Sequence, residues 1–220
     1  ISNDLCSLTE GEDRPALVCF MTIGADGRKR SHRFARATIR VAAGLAYPDA
    51  QAAIDGAGSA AARAVLDTVL KPLWAAYAAL CKARDARGPL DLDLPERKII
   101  LDAKGNVDRV VVPPRLDAHR LVEEFMIQAN VAAAEELENR KIPLLFRIHE
   151  QPSEEKVRAL AEFLRTVDLS LPLGQVMKPS HFNRLLEQVQ GQDYQHLVNE
   201  VVLRTQAQAE YAAENYGHFG

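Results

Sequence analysis

The sequence has few of the residues that mark redox-active, secreted or membrane proteins. Its three cysteines, Cys6, Cys19 and Cys81, are odd in number, widely spaced and form no CxxC pair. This pattern predicts buried, reduced thiols in a cytoplasmic protein. The sequence contains no apolar run long enough to cross a bilayer and no signal peptide at its start, so we expect no association with a membrane.

Short motifs of several enzyme classes are also missing. There is no glycine-rich phosphate loop, no HExxH and no GxSxG. The formal net charge of −3 provides no global attraction for a polyanion, so a nucleic acid would need a local basic patch. A length of 220 residues, 47% of them hydrophobic, is ample for a globular core. Because the first residue is isoleucine rather than methionine, we expect a section of a longer protein.

What is present is centred on a long helix, predicted from about Arg115 to Leu137. Its apolar side chains recur at helical spacing: Leu121, Val122, Phe125, Met126, Ala129, Ala132, Ala133 and Leu137. Asp117, which follows two prolines, is the predicted N-cap. Glu123 and Glu124 lie beside the apolar stripe, and Asn130 follows two turns after Glu123. Such carboxylate and amide groups are either solvated or hydrogen-bond sugars and bases.

The remaining pattern mixes strands and helices without an internal repeat or a linker. Residues 16–23 and 28–41 are predicted to form a hairpin around the turn Ala25-Asp26-Gly27. Its second arm carries Arg28, Lys29, Arg30, His32, Arg33, Arg36 and Arg40. This arm is either a charge-protected sheet edge or a rim that faces phosphates. Further helices are predicted near 49–55, 60–70, 72–87, 153–167, 181–190 and 194–209. Short strands are predicted in 90–112 and 144–148, and the turn Lys104-Gly105-Asn106 indicates a second hairpin.

Two small sets of residues are weak metal-site candidates. His119 and Glu123 share one helix face and would form half of a site, with His149 as a third ligand. Asp91 and Asp93 would lie on one side of a strand and could bind a divalent cation. Structural roles or solvation are the competing interpretations of both sets.

Four stretches resemble, in order and spacing, the catalytic RNB domain of the ribonuclease II/ribonuclease R family. They are ISNDLCSL, RLVEEFMIQANVAAA, LFRIHEQPS and ENYGHFG. The resemblance implies an α/β (α+β mixed) fold with helices around a mixed sheet that lines a channel for single-stranded RNA. It implies a 3′-to-5′ exoribonuclease that releases nucleoside 5′-monophosphates processively, with magnesium as cofactor. Residues 1–220 would be part of a single domain of this type.

The same resemblance indicates what these residues lack. The family's aspartate cluster would precede ISNDLCSL, and the arginine of its TSPIRRY motif would follow HFG. We therefore expect no catalytic residue and no magnesium ligand in this chain, and no hydrolysis by the chain alone.

The RNA-binding residues that the resemblance implies lie along the channel wall. Tyr47 and Glu123 would contact the ribose near the cleavage site, which distinguishes RNA from a DNA substrate because DNA lacks the 2′-hydroxyl. Arg147, His149 and His218 would approach the RNA backbone, as would Asn130. The aromatic residue with which the family stacks terminal bases falls near Leu92, which has no π-face.

Two alternatives remain open at this point. The chain could belong to a non-catalytic module of the same fold that binds RNA or a partner protein. It could also be a purely structural segment, in which case exposed leucine and valine side chains would make it prone to associate.

Overall fold

The computed structural model describes residues 1–92, 94 and 96–220, and these form two compact units. Unit 1 consists of Ile1–Ala86 and Pro114–Lys141. Unit 2 consists of Arg87–Pro113 and Ile142–Gly220. The chain therefore passes from one unit to the other three times, and each unit is built from two separate segments.

Helices and strands alternate in both units, which confirms the mixed α/β class. Unit 1 contains β1 (Asp13–Ile23), β2 (Lys29–Arg40), α1 (Tyr47–Ile54), α2 (Ala60–Ala64), a π-helical turn (Leu66–Leu70), α3 (Lys71–Arg87) and α4 (Asp117–Asn139). Unit 2 contains β3 (Lys98–Leu101), β4 (Val107–Val111), β5 (Phe146–Ile148), α5 (Glu154–Arg165), α6 (Pro179–Gln188), α7 (Gln195–Thr205) and β6 (Glu210–Ala212). Both predicted hairpins and all the longer predicted helices are present.

The strands pair two by two, as the antiparallel ribbons β1–β2, β3–β4 and β5–β6. The expected single mixed sheet is therefore not formed by the described strands. Two of the ribbons are local hairpins closed by short glycine-containing turns, and the first of them packs on α4 instead of on another strand. A ribbon needs such a partner because an isolated two-stranded hairpin is only marginally stable.

The basic ribbon β1–β2 changes its buried face midway along its length. Leu17 is exposed opposite Arg36, and Phe20 is exposed opposite Arg33, although positions 17 and 20 lie on opposite faces of a regular strand. The guanidinium of Arg33 lies 3.6 Å from the centroid of the Phe20 ring. The twist of a long two-stranded ribbon accounts for this exchange of faces.

Most of the basic side chains of β2 have acidic partners within the chain. Arg40 pairs with Asp13 and Arg30 with Asp26, while Lys29 turns inward to Glu135 of α4. His32 also faces α4, where its Nε2 atom is 3.4 Å from Glu136. These ion pairs favour the interpretation of this arm as a charge-protected sheet edge over its interpretation as a rim that faces phosphates.

The buried side of α4 differs from the predicted stripe at Glu124, Gln128 and Met126. Glu124 is 4% exposed and lies 3.4 Å from the Nε atom of Arg84, whereas Met126 is 59% exposed. The prediction was therefore wrong for Met126, because the buried stripe runs through Leu121, Glu124, Gln128 and Ala132. A buried carboxylate is tolerated here because a guanidinium lies beside it.

The core of unit 2 is formed by α5, α6 and α7. Its fully buried side chains are Leu160, Leu164, Phe182, Val189, Val198 and Val202. Ser153 caps α5 by accepting a hydrogen bond from the Lys156 amide at 3.4 Å. Strand β6 was not predicted.

Surface features complete the description of the two units. Within the described residues, no helix has both the length and the apolarity needed to cross a membrane. The three cysteines are free, and Cys6 is exposed, so the predicted burial of the thiols is wrong for Cys6. The β3–β4 ribbon exposes several apolar side chains, including Ile99 at 57% and Val107 at 62%.

Candidate functional site

Helix α1 is joined to the first turn of α4 by a side chain. The Gln51 Oε1 atom accepts a hydrogen bond from the Ala118 amide at 3.1 Å. This bond satisfies one of the amides that every helix leaves unpaired at its N-terminus. Because Tyr47 is the first residue of α1, the bond also fixes Tyr47 relative to the start of α4.

The start of α4 is capped in an unexpected way. Its N-cap residue is Leu116, not Asp117, so the predicted N-cap is wrong by one position. The Leu116 amide donates to Nδ1 of His119 at 3.1 Å, which is one half of a capping box. Since Nδ1 accepts this bond, the proton of a neutral His119 ring lies on Nε2.

His119 lies between the two predicted ribose-contacting residues. Its ring stacks on that of Tyr47, with 4.3 Å between centroids and 32° between planes. Glu123 is one turn further along the same face of α4 and pairs with Arg115 at 2.5 Å. Tyr47 is 43% exposed and the Glu123 side chain 49% exposed, so both groups are open to solvent at one end of unit 1.

Asn130 continues this exposed edge of α4. It follows Glu123 by about two helical turns, and it is exposed. Tyr47, at the other end of the edge, borders an apolar cavity of about 360 Å³ that Trp74 and Leu121 also line. One side of unit 1 thus presents an aromatic ring, a carboxylate and an amide in sequence, which is a set of groups suited to sugars and bases.

The other three predicted residues meet at the β5–β6 ribbon of unit 2. Arg147 pairs across the ribbon with Tyr211, and its guanidinium lies 4.9 Å from the Tyr211 ring centroid. His149 follows β5 and forms a backbone bridge with His218, with 4.9 Å between the ring centroids. Arg147, His149 and His218 are therefore neighbours.

The His149 ring is bound to backbone groups on both sides. Its Nε2 atom lies 3.0 Å from the Ala207 carbonyl, and its Nδ1 atom accepts from the Gly220 amide at 3.1 Å. This arrangement requires the proton on Nε2. His149 thus fixes the segment that contains His218 in place, and both of its nitrogens are occupied.

Charge in this cluster comes from Arg147. Burial, followed by the proximity of His149 and Arg147, lowers the pKa of His218 below its usual value of 6.5. His218 is therefore neutral at pH 7, whereas the guanidinium of Arg147 remains charged. At neutral pH the cluster offers one cation and one neutral imidazole to a ligand.

The described residues do not provide a magnesium site. No group of three or more His, Cys, Asp or Glu side chains among them is placed to hold a metal ion. The weak candidate Asp91 with Asp93 falls partly outside the described residues, because Asp93 is not among them. Of the other weak candidate, Nδ1 of His119 is occupied by the helix cap and Glu123 by Arg115.

Two neighbours of the candidate site were not recognised in the sequence as part of it. His119 was considered only as a metal ligand, and its spacing from Glu123 was the one signal that placed both on a single face. Tyr211 was missed because β6 is three residues long and its register with β5 is set by tertiary structure.

Comparison with known proteins now defines the class of protein. The model of the RNB domain family matches residues 1–220, and the chain belongs to that family. Its relatives include ribonuclease R of Vibrio parahaemolyticus and of Escherichia coli, each 37% identical over 221 residues. The alignments cover 100% of this chain but 26% and 27% of those proteins. The chain thus spans about a quarter of their length.

Solved structures show the same fold. Mycoplasma genitalium RNase R in complex with ribose-methylated single-stranded RNA matches with a TM-score of 0.89 at 24% identity, over 99% of this chain and 34% of that one. The same protein in complex with double-stranded RNA matches with a TM-score of 0.90 at 24% identity, over 99% of this chain and 39% of that one. Yeast Ssd1, a pseudonuclease, matches with a TM-score of 0.65 at 13% identity, over 97% of this chain and 26% of that one.

Proposed function

We propose that this chain is the RNA-channel section of a 3′-to-5′ exoribonuclease of the ribonuclease R type. The whole enzyme hydrolyses single-stranded RNA processively to nucleoside 5′-monophosphates in the cytoplasm. The observation that carries this proposal is the RNB family match over all 220 residues. The 220 residues are one part of a single catalytic domain, whose magnesium ligands and remaining catalytic groups lie outside them. The chain by itself binds RNA without cutting it.

Ribose selection is the task of Tyr47 and Glu123. A Glu123 oxygen accepts the hydrogen bond of a 2′-hydroxyl, and Tyr47 lies against the sugar, so that DNA is not a substrate. The solvent exposure of both groups at the His119 end of α4 supports this assignment. The nucleotide that they hold is the one next to the bond being cut.

Contacts to the RNA backbone come from Arg147, His218 and Asn130. Arg147 supplies the positive charge for a phosphate at neutral pH, and His218 donates or accepts a hydrogen bond beside it. His149 acts by holding the segment of His218, in view of its two backbone hydrogen bonds. Asn130 contacts the strand further along the edge of α4.

The proposed RNA site has no base stacking at the position where the family has an aromatic residue. Leu92 stands at that place, and it is partly buried against the apolar core of unit 2. An aliphatic side chain cannot stack on a base, so ribose and phosphate contacts carry the binding.

A second candidate function is a binding module without catalysis. The likeness of the fold to that of yeast Ssd1, a pseudonuclease, supports this candidate. If that module binds RNA, only hydrolysis by the whole protein separates the two candidates, whereas a module for a partner protein predicts that the chain has no affinity for RNA.

Removal of the Glu123 carboxylate is expected to weaken the preference of the chain for RNA over DNA. We expect the 220-residue chain to bind an oligouridylate more tightly than the matching deoxyoligonucleotide at low salt, as measured by fluorescence anisotropy. Glu123→Ala should reduce the ratio of the two affinities about tenfold, because a hydrogen bond to a charged group is lost. Glu138→Ala removes the same charge from an exposed site on the same helix and should leave the ratio unchanged. Equal ratios in Glu123→Ala and the unmodified chain would refute this role of Glu123.

A further inference from the structure

We infer that His119 is a positioning residue for ribose recognition, because its ring sets the orientation of the Tyr47 ring. This inference rests on the proposed function of Tyr47 and Glu123 and adds a residue to it. Neither the spacing between His119 and Glu123 nor the family resemblance assigned this role to His119.

The His119 ring is itself fixed by the backbone. Its Nδ1 atom accepts from the Leu116 amide at 3.1 Å, which holds the ring over the first turn of α4. Rotation of the ring would leave that amide without its partner, so the cap and the ring orientation are coupled. A ring held in this manner presents one constant face to its neighbour.

Tyr47 depends on that face for its own orientation. The two rings are in direct contact, with 4.3 Å between their centroids and a tilt of 32° between their planes. Because Tyr47 is 43% exposed, fewer protein contacts limit its rotamers than in a core position. The stack on His119 therefore reduces the entropy that ribose binding would otherwise cost.

Glu123 is aligned from the same helical face. It lies four residues after His119, and Arg115 holds its Oε2 atom at 2.5 Å. Both groups are thus positioned relative to His119. Tyr47 is positioned by the contact between the rings, and Glu123 by its place one helical turn later. Tyr47 and Glu123 can act on one ribose only if this relation is maintained.

Two substitutions separate the stacking role of His119 from its capping role. Asparagine has an acceptor oxygen at the position of Nδ1, so His119→Asn keeps the bond to Leu116 but removes the stacking ring. Phenylalanine has the ring without the acceptor, so His119→Phe keeps the stack but removes the cap. A merely structural role for His119 would make the loss of the cap the more damaging change.

The test measures affinity for an oligouridylate and for its deoxy counterpart, together with the melting temperature, in the unmodified chain and both variants. His119→Asn should lower the RNA-to-DNA affinity ratio about fivefold with little change in melting temperature. His119→Phe should keep the ratio and lower the melting temperature by roughly 2–4 °C.

The opposite pattern, or a ratio unchanged in His119→Asn, would overturn the inference. Tyr47→Ala and Glu123→Ala are measured alongside to separate the two levels of the proposal. If they lower the ratio and His119→Asn does not, only the role of His119 is wrong. If neither of them changes the ratio, the proposed ribose site itself is wrong, and the inference falls with it.

Discussion

Gly27→Ala is expected to lower the free energy of unfolding of unit 1 by about 3 kcal/mol or more. Gly27 is at the tip of the β1–β2 hairpin with φ +75°, and it is buried. A Cβ atom there would lie 2.0 Å from the carbonyl oxygen of Ala79 in α3, so the hairpin tip or the helix would have to move. The strain of the left-handed backbone and the clash with Ala79 both destabilise the packing of the hairpin tip on α3. Urea denaturation of the purified variant measures the change.

Gly105→Ala is the matched control for that substitution. Gly105 also lies in a hairpin turn, with φ +85°, but apart from its chain neighbours no atom of the described residues lies within 4 Å of the position of its Cβ. Only the strain of a left-handed conformation remains, about 1–2 kcal/mol. Equal losses in the two variants would contradict the close approach of Gly27 to α3.

Phe182→Ala is expected to lower the free energy of unfolding of unit 2 by about 3–5 kcal/mol. Phe182 is fully buried in the core formed by α5, α6 and α7. It also packs edge-to-face against Phe219, with 6.1 Å between ring centroids and 83° between planes. Because Phe219 is adjacent to His218, the cavity should also loosen the candidate site, and the Gly220 amide should exchange hydrogen faster.

Leu173→Ala provides the comparison for this effect. Leu173 belongs to the same unit but is 47% exposed, so its truncation should change stability by no more than about 0.5 kcal/mol. If Phe182→Ala were as mild as Leu173→Ala, the described core of unit 2 would be wrong.

The local architecture was largely readable from the sequence. Turn residues at Asp26-Gly27 and Lys104-Gly105 predicted the two hairpins, since glycine supplies the positive φ that these turns need. Helical periodicity predicted α4 to within two residues at either end. These features depend on neighbouring residues alone, which is why a single sequence is sufficient for them.

Tertiary contacts account for the failures. Glu124 is buried because Arg84, forty residues earlier, lies beside it, and nothing local distinguishes it from the exposed Glu123. At the true start of α4 the Ala118 amide donates to Gln51 of another helix, a contact that the sequence around Asp117 does not reveal. The β1–β2 ribbon likewise packs on α4 rather than on a further strand, which periodicity does not report.

The candidate site was predicted unevenly for the same reason. The family resemblance predicted Tyr47 and Glu123 as site residues, while the contact of His119 with Tyr47 became evident only from the ring geometry. The cluster of Arg147, His149 and His218 was expected, but the backbone bonds that occupy both nitrogens of His149 were not. A sequence names the chemical groups of such a site more readily than it shows which of them remain available.

The central claim is that this chain forms the channel wall of a processive exoribonuclease, and an assay of the whole source protein tests it most directly. Its intact mass is determined first, and the protein is then incubated with 3′-labelled single-stranded RNA with and without magnesium. We predict a protein much larger than 220 residues that releases the label as a nucleoside 5′-monophosphate only when magnesium is present. A source protein that binds the RNA but releases no nucleotide under any metal condition would contradict the claim and establish the binding module instead.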